Sequence, residues 1–398
     1  MTGKIPILYV PEFFPPDLLY SAFAERCDAI ATSLGSRGFD LNVLVVRRTS
    51  PDPPKGSGPY QVQSRFSWSS RLVYANLTLN MIQRVVALLS ILRTGRRTRA
   101  RLLIVSAHDP LLCLAAVTAA FILGIPIVID AHDTRLVLGV LNSRQVSRRI
   151  KMYLERTAMR RANRVWVPTR SLANSLGREY GVGPNSLRVV ENGAAIARFH
   201  SVERETGGSK ELLHLGGPRD YYDTESLVLA FRSVRQKIPE ATLTFLGIRE
   251  DKYTELIRRQ CRSFGLESAV RLLLPVSREE VGAFMNRAAA GLHTYRLHPA
   301  YANTVGLKVI EYMAAGIPVI HRGPQGGETW RIVEESGAGL CAETVNELAG
   351  AMISVLKDPA LRRRLGDKGL NAAVRYDWSA TMGPAVDDTE DLLGARSR

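Results

Sequence analysis

The stretch Asn303-Thr-Val-Gly306-Leu-Lys308-Val-Ile-Glu311, running on through Gly316-Ile-Pro318, carries the pattern richest in chemistry. A polar, glycine-bearing loop opens an apolar-periodic run, which predicts a helix over Leu307–Ala315 closed by Gly316-Ile-Pro318. A helix N-terminus offers unpaired N–H groups and a positive dipole end, which suit a phosphate. Gly306 lets a ligand approach the backbone closely. Glu311 falls about one turn further in, where its carboxylate would accept two hydrogen bonds from a ribose diol. A plain surface helix fits the same residues, with Asn303 and Thr304 as caps and Glu311 solvated. The segment alone leaves both readings open.

Two histidines occupy a second kind of position. Ile129-Asp-Ala-His132-Asp133 and Ser106-Ala-His108-Asp109 each place a histidine just past a short apolar strand. Ligands of open α/β sheets bind at such carboxyl ends. A loop histidine satisfied by its neighbours is the alternative at both.

These positions need a frame. Near-continuous apolar runs predict strands at Ile5–Val10, Leu41–Val46, Leu102–Val105, Ile127–Ile129, Arg164–Val167 and Leu187–Val190. Runs of that kind belong to parallel sheets covered on both faces. Helices fit between them, at Leu18–Leu34, Leu79–Leu92, Leu111–Leu123 and Arg170–Tyr180. Residues 194–210 are polar and read as a linker. A second series follows, with strands at Glu211–Leu215, Ala241–Leu246, Val270–Leu273, Gly291–Thr294 and Pro318–Ile320. The expected fold is α/β, with two tandem Rossmann-like domains facing a cleft. The boundaries read as 1–193, 194–210, 211–378, and a C-terminal piece at 379–398.

The 398 residues carry 53 Lys and Arg against 38 Asp and Glu, a formal charge of +15, which calls for an anionic partner. Arg93, Arg96, Arg97, Arg99 and Arg101 follow the apolar helix Leu79–Leu92; Arg144, Arg148, Arg149, Lys151, Arg156, Arg160 and Arg161 line another helix. Such helices can lie on an anionic bilayer; a solvated face over core is the alternative. Nucleic acid is disfavoured, because no aromatic-studded basic strand or recognition helix accompanies the charge. Leu111–Ile129 lacks charge, but Gly124-Ile-Pro126 divides it into a helix and a strand rather than a span. Met1–Val10 reads as a first strand, not a signal peptide. The four scattered cysteines imply neither disulfides nor structural zinc, and a reducing cytosol is the simplest compartment.

The Asn303–Ile320 segment resembles the E-x7-E region of retaining glycosyltransferases of the GT-B fold, the large family 4. Further likeness runs in order along the chain. It includes Arg160–Thr169, Val190-Glu-Asn-Gly193, Leu215-Gly-Gly217, Phe245-Leu-Gly247, Gly337-Ala-Gly339 and Tyr376-Asp-Trp378. The resemblance implies that Glu311 holds the donor ribose and that amides from Thr304, Val305, Gly306 and Leu307 hold the diphosphate. It places Asn303 where the family has its first Glu, beside the donor sugar. It implies a histidine at His132 touching the donor sugar or transition state; His108 is a second candidate from its position after a strand. Where the family has Lys-Gly after its first C-terminal strand, this chain has Gly217-Pro-Arg219, making Arg219 the candidate phosphate ligand. The family's N-terminal glycine pair is replaced by Phe14-Pro-Pro-Asp17-Leu-Leu-Tyr20, with Asp17 and Tyr20 as acceptor-side candidates. The final helix, Ser379–Leu393, is expected to cross back onto the first domain.

The activity so implied is transfer of a sugar from a nucleotide diphosphate sugar to an acceptor, with retention. The basic helices add a lipid-linked acceptor and a peripheral place on the inner face of the plasma membrane. Amides near Gly306 and a cation, Arg219 or Lys308, would stabilise the departing diphosphate in place of a metal, and no cofactor is expected. Two other readings remain: an inactive nucleotide- or partner-binding protein, and a sugar-nucleotide epimerase of the same fold.

Overall fold

The computed structural model describes residues 4–12, 14, 22–46, 58–64, 77–132, 134, 136, 145–199 and 208–394. The chain forms two compact units, Met1–Asn192 with Trp378–Arg398, and Gly193–Asp377.

The first unit runs β1 (Pro6–Pro11), α1 (Ala22–Ser36), β2 (Asp40–Val45), β3 (Gln61–Ser64), α2 (Leu77–Thr98), β4 (Leu102–Ser106), α3 (Pro110–Leu123), β5 (Ile127–Asp130), α4 (Gln145–Arg161), β6 (Arg164–Val167), α5 (Arg170–Ser175) and β7 (Leu187–Val189). Its seven strands are all parallel, in the order β3-β2-β1-β4-β5-β6-β7. The central strands β4 and β5 are buried throughout, the burial that their unbroken apolar runs require. The polar edge strand β3, with the sequence Gln-Val-Gln-Ser, escaped the apolar criterion because an edge is covered less.

The predicted break within Leu111–Ile129 is built from caps. The Asp109 carboxylate accepts the Leu111 amide at 2.8 Å, Pro110 opens α3, and Gly124 closes it at φ 66°. Among the described residues, no helix is long and apolar enough to cross a membrane.

The second unit runs β8 (Glu211–Leu215), α6 (Thr224–Lys237), β9 (Thr242–Leu246), α7 (Lys252–Phe264), β10 (Val270–Leu273), α8 (Arg278–Arg287), β11 (Ala290–Thr294), α9 (Leu307–Ala314), β12 (Val319–Arg322), α10 (Glu328–Ser336), β13 (Gly339–Ala342), α11 (Val345–Lys357) and α12 (Pro359–Ala373). Its six strands are parallel, in the order β10-β9-β8-β11-β12-β13. In both sheets the first strand lies inside and the order reverses beside it, which is the doubly wound arrangement. Residues 194–199 are not a bare linker. Ala194 donates to the Tyr376 carbonyl at 2.8 Å, and the Ile196 amide reaches Asp377 Oδ2 at 3.3 Å.

Helices α13 (Trp378–Thr381) and α14 (Gly383–Leu393) return to the first unit, as the sequence led us to expect. Asp388 fastens them: it accepts from Arg164 Nε and Trp166 Nε1, both at 2.9 Å, and pairs with Arg188 at 3.1 Å. Trp166 is fully buried, so its indole N–H requires such a partner.

Candidate functional site

In the second unit the predicted residues gather at the carboxyl ends of β8 and β11 and the N-terminus of α9. Gly216 follows β8 at φ +83°, and its amide donates to the Leu246 carbonyl at 2.6 Å. A Cβ at Gly217 would lie 2.9 Å from Ile248 Cα, so the turn after β8 presses directly on the turn after β9. Gly306 is the N-cap of α9, and a Cβ there would fall 2.4 Å from His293 Nε2. The loop is pinned by Thr329, whose Oγ1 accepts the Gly306 amide at 3.0 Å and donates to the Thr304 carbonyl at 2.8 Å. Val305 and Leu307 flank Gly306 and are half-buried.

Two features remove the surface-helix alternative. Asn303 ends a 3-10 turn, Pro299–Asn303, and Thr304 Oγ1 donates back to the Tyr301 carbonyl at 2.7 Å, so neither caps α9. Glu311 is 5% exposed, not solvated.

Lys308, in the first turn of α9, extends its Nζ to the Tyr222 hydroxyl and lies 4.2 Å from that ring's centroid. A Cβ on Gly216 would sit 2.6 Å from the same Nζ. Burial pushes the Lys308 pKa down to about 8, with Tyr221 and Glu311 opposing the shift and Arg219 adding to it. Arg219 itself pairs with Asp251 Oδ2 at 3.0 Å and is a quarter exposed. Lys308 is therefore a cation held against the glycine turn, whereas Arg219 is engaged by a carboxylate of its own.

Three buried histidines in this unit were not singled out from the sequence. His214 on β8 donates from Nδ1 to the Gly216 carbonyl at 3.0 Å, and burial pushes its pKa down to about 3. His321 on β12 has its Nδ1 3.1 Å from both the carbonyl and the Nδ1 of His293. A carbonyl only accepts, so His321 Nδ1 carries the proton. Burial lowers His321 to about 4 and holds His293 well below the usual range. Around them Tyr222, Tyr295 and Tyr301 stack in series, at centroid distances of 5.8 and 5.7 Å. The signal available was a histidine within each of three buried, mainly apolar strands.

In the first unit, His108 and His132 lie together past β4 and β5, ring centroids 6.4 Å apart, with Phe23 against both. The His108 amide donates to Glu12 Oε2 at 2.8 Å. His132 Nδ1 is 3.1 Å from Asn192 Oδ1. Beneath them lies a buried pair absent from the sequence reading. Arg26 reaches Asp130 through Nη2 at 2.7 Å and Nε at 3.0 Å, and Asn192 Oδ1 through Nη1 at 3.0 Å. Asp130 also accepts from Ser106 Oγ at 2.9 Å. Arg26 sits on a helix in a stretch that looked amphipathic, so nothing in its spacing marked it. Asp17 and Tyr20 lie outside the described residues. Among the described residues, no group of three His, Cys, Asp or Glu side chains gathers as a metal site, and Cys27, Cys113, Cys261 and Cys341 are free thiols.

Comparison with known proteins gives this geometry a family. Residues 23–193 match the glycosyl transferase 4-like domain, and residues 196–372 match glycosyl transferases group 1. The chain belongs to the group 1 glycosyltransferases with the GT-B fold. It is 25% identical over 392 residues to a glycogen synthase of Mycobacterium tuberculosis, covering 94% of this chain and 91% of that protein. Sucrose-phosphate synthase from Thermosynechococcus elongatus superposes with a TM-score of 0.79 at 18% identity, over 98% of this chain and 100% of that one. Anabaena HepE in complex with UDP-glucose superposes with a TM-score of 0.71 at 18% identity, over the same shares.

Proposed function

We propose that this chain transfers a sugar, with retention and without a metal, from a nucleoside diphosphate sugar to an acceptor presented at an anionic membrane. The observation that carries the donor half is the junction of Gly306, Lys308 and Glu311 on one short helix beside the Gly216 turn. Amides at the start of α9 and the Lys308 cation would take up charge as the diphosphate departs, in a site already partly dry. Glu311 would receive the ribose hydroxyls, and Asn303 is assigned to the sugar being transferred; His132, in the first unit, is proposed as a catalytic residue. Arg219, held by Asp251, would add a second cation for the phosphate. A UDP-glucose complex in a protein of this fold agrees with such a donor.

The test is thermal stabilisation by UDP, GDP and ADP, with Glu311→Ala beside the wild type. A shift by one nucleotide, lost in Glu311→Ala, supports the donor site and names the base. No shift with any of the three would overturn it and favour the inactive partner-binding reading. Turnover of the nucleotide sugar without acceptor would favour the epimerase.

A further inference from the structure

We infer that the outer helical face of the first unit, made by α2, α3 and α4, docks on an anionic lipid bilayer. The inference deepens the acceptor half of the function proposed above and rests on it. The three helices lie side by side over one face of the sheet, with α3 in the middle. Gly95 on α2 admits the last turn of α3: a Cβ there would meet Leu123 Cδ1 at 2.7 Å. The C-terminal turns of α2 and α3 therefore form one continuous patch.

That patch has one sign of charge. Neither α2 nor α3 contains Asp or Glu. The one acid on α4, Glu155, is buried and accepts the Tyr180 hydroxyl. Against this, Arg93, Arg96 and Arg97 are exposed on α2, with Arg99 and Arg101 just beyond its end. Arg149, Lys151, Arg156, Arg160 and Arg161 are exposed on α4.

The patch is also apolar in a way surfaces seldom are. Eleven large hydrophobic side chains are exposed among the described residues, and six of them stand on these three helices. Phe121 is 86% exposed, Tyr153 67% and Leu89 59%. Exposed apolar side chains and arginines on the same adjacent helices, with no exposed acid on the helices that carry them, match the boundary between anionic headgroups and acyl chains. A second copy of the chain fits poorly, since two-fold pairing would set this basic patch against itself. Nucleic acid would satisfy the arginines and leave Phe121, Ile122 and Leu89 with nothing to bury.

The test is co-sedimentation of the full chain with vesicles of phosphatidylcholine alone and of phosphatidylcholine mixed with phosphatidylglycerol. Binding is expected to the mixed vesicles and to weaken with salt. Arg96→Glu with Arg97→Glu should weaken it by roughly fivefold or more for each positive charge removed. Phe121→Ser with Ile122→Ser should weaken it at high salt as well, where the charge pair no longer matters. All four positions are exposed, so the unliganded melting midpoint should hold. The inference fails if mixed vesicles do not bind or if neither pair changes binding. It fails too if the pairs instead abolish binding to a DNA oligonucleotide or a concentration-dependent dimer. The nucleotide-induced thermal shift is read on the same samples: its absence in the wild type would sink the donor reading while leaving vesicle binding to be judged by itself.

Discussion

Arg26 donates from Nη1 to the Asn192 side chain at 3.0 Å, and this contact decides which nitrogen of His132 carries its proton. A guanidinium only donates, so the Asn192 atom facing it is the oxygen. The same oxygen lies 3.1 Å from His132 Nδ1, which must therefore donate. In the neutral imidazole Nε2 is then the nitrogen that bears the lone pair, which is the tautomer a general base at this position requires.

Asn192→Ala should lower the transfer rate by about 10- to 100-fold, because His132 loses both its orientation and its fixed tautomer. Asn192→Asp keeps an acceptor for Arg26 and for His132 and should retain much more of the rate. Its pH–rate profile should move, since a carboxylate favours the imidazolium. Equal loss in both variants would show that the tautomer is not what matters.

Arg26→Met should destabilise the first unit by about 3–5 kcal/mol, because it leaves the fully buried Asp130 without its cation. Urea denaturation measures this. Adding Asp130→Asn should recover part of the loss; a double variant as unstable as the single one would mean that packing, not charge, dominates.

Gly306→Ala should abolish the nucleotide-induced thermal shift. The new methyl would fall 2.4 Å from His293 Nε2, and the His293 ring is held by His321, so the loop must give way. Combining Gly306→Ala with His293→Ala should restore part of the shift. If Gly306→Ala responds to nucleotide like the wild type, the close approach has no role in binding.

Nucleotide affinity should fall with rising pH above about 8, the value to which burial lowers Lys308. Phosphate binds the charged form, which predominates below that pH, so affinity is lost by up to about tenfold per pH unit above it. Lys308→Gln should bind more weakly at pH 7 and show a flat profile over that range. Calorimetric titration with the responding nucleotide measures both.

The second unit should lose stability in mild acid. His214 and His321, lowered to about 3 and about 4 by burial, stay neutral in the fold while the unfolded chain takes up protons below about 6.5. Their contribution is complete above that pH and falls by up to about 1.4 kcal/mol per unit for each histidine as the pH drops towards 4. Urea midpoints at pH 7 and 5 report it, and His214→Leu should flatten the slope.

By itself the sequence determined the succession of most strands and helices along the chain, because a strand covered on both faces must be largely apolar. It determined the site helix as well: Gly306 before an amphipathic run, and Gly316-Ile-Pro318 after it, are local backbone requirements. The edge strand β3 was hidden because its sequence, Gln-Val-Gln-Ser, needs little apolarity where cover is partial, and β13 because four residues opening on a glycine make too short a run. Only the tertiary structure decided which polar groups are buried together. Arg26 and Asp130 are 104 residues apart, and His293 and His321 are 28 apart. No local periodicity relates such positions. His293 and His321 meet because parallel β11 and β12 set them in register, and Arg26 reaches Asp130 at the end of β5 from helix α1; in both places a desolvated charge or imidazole is stable only beside its partner.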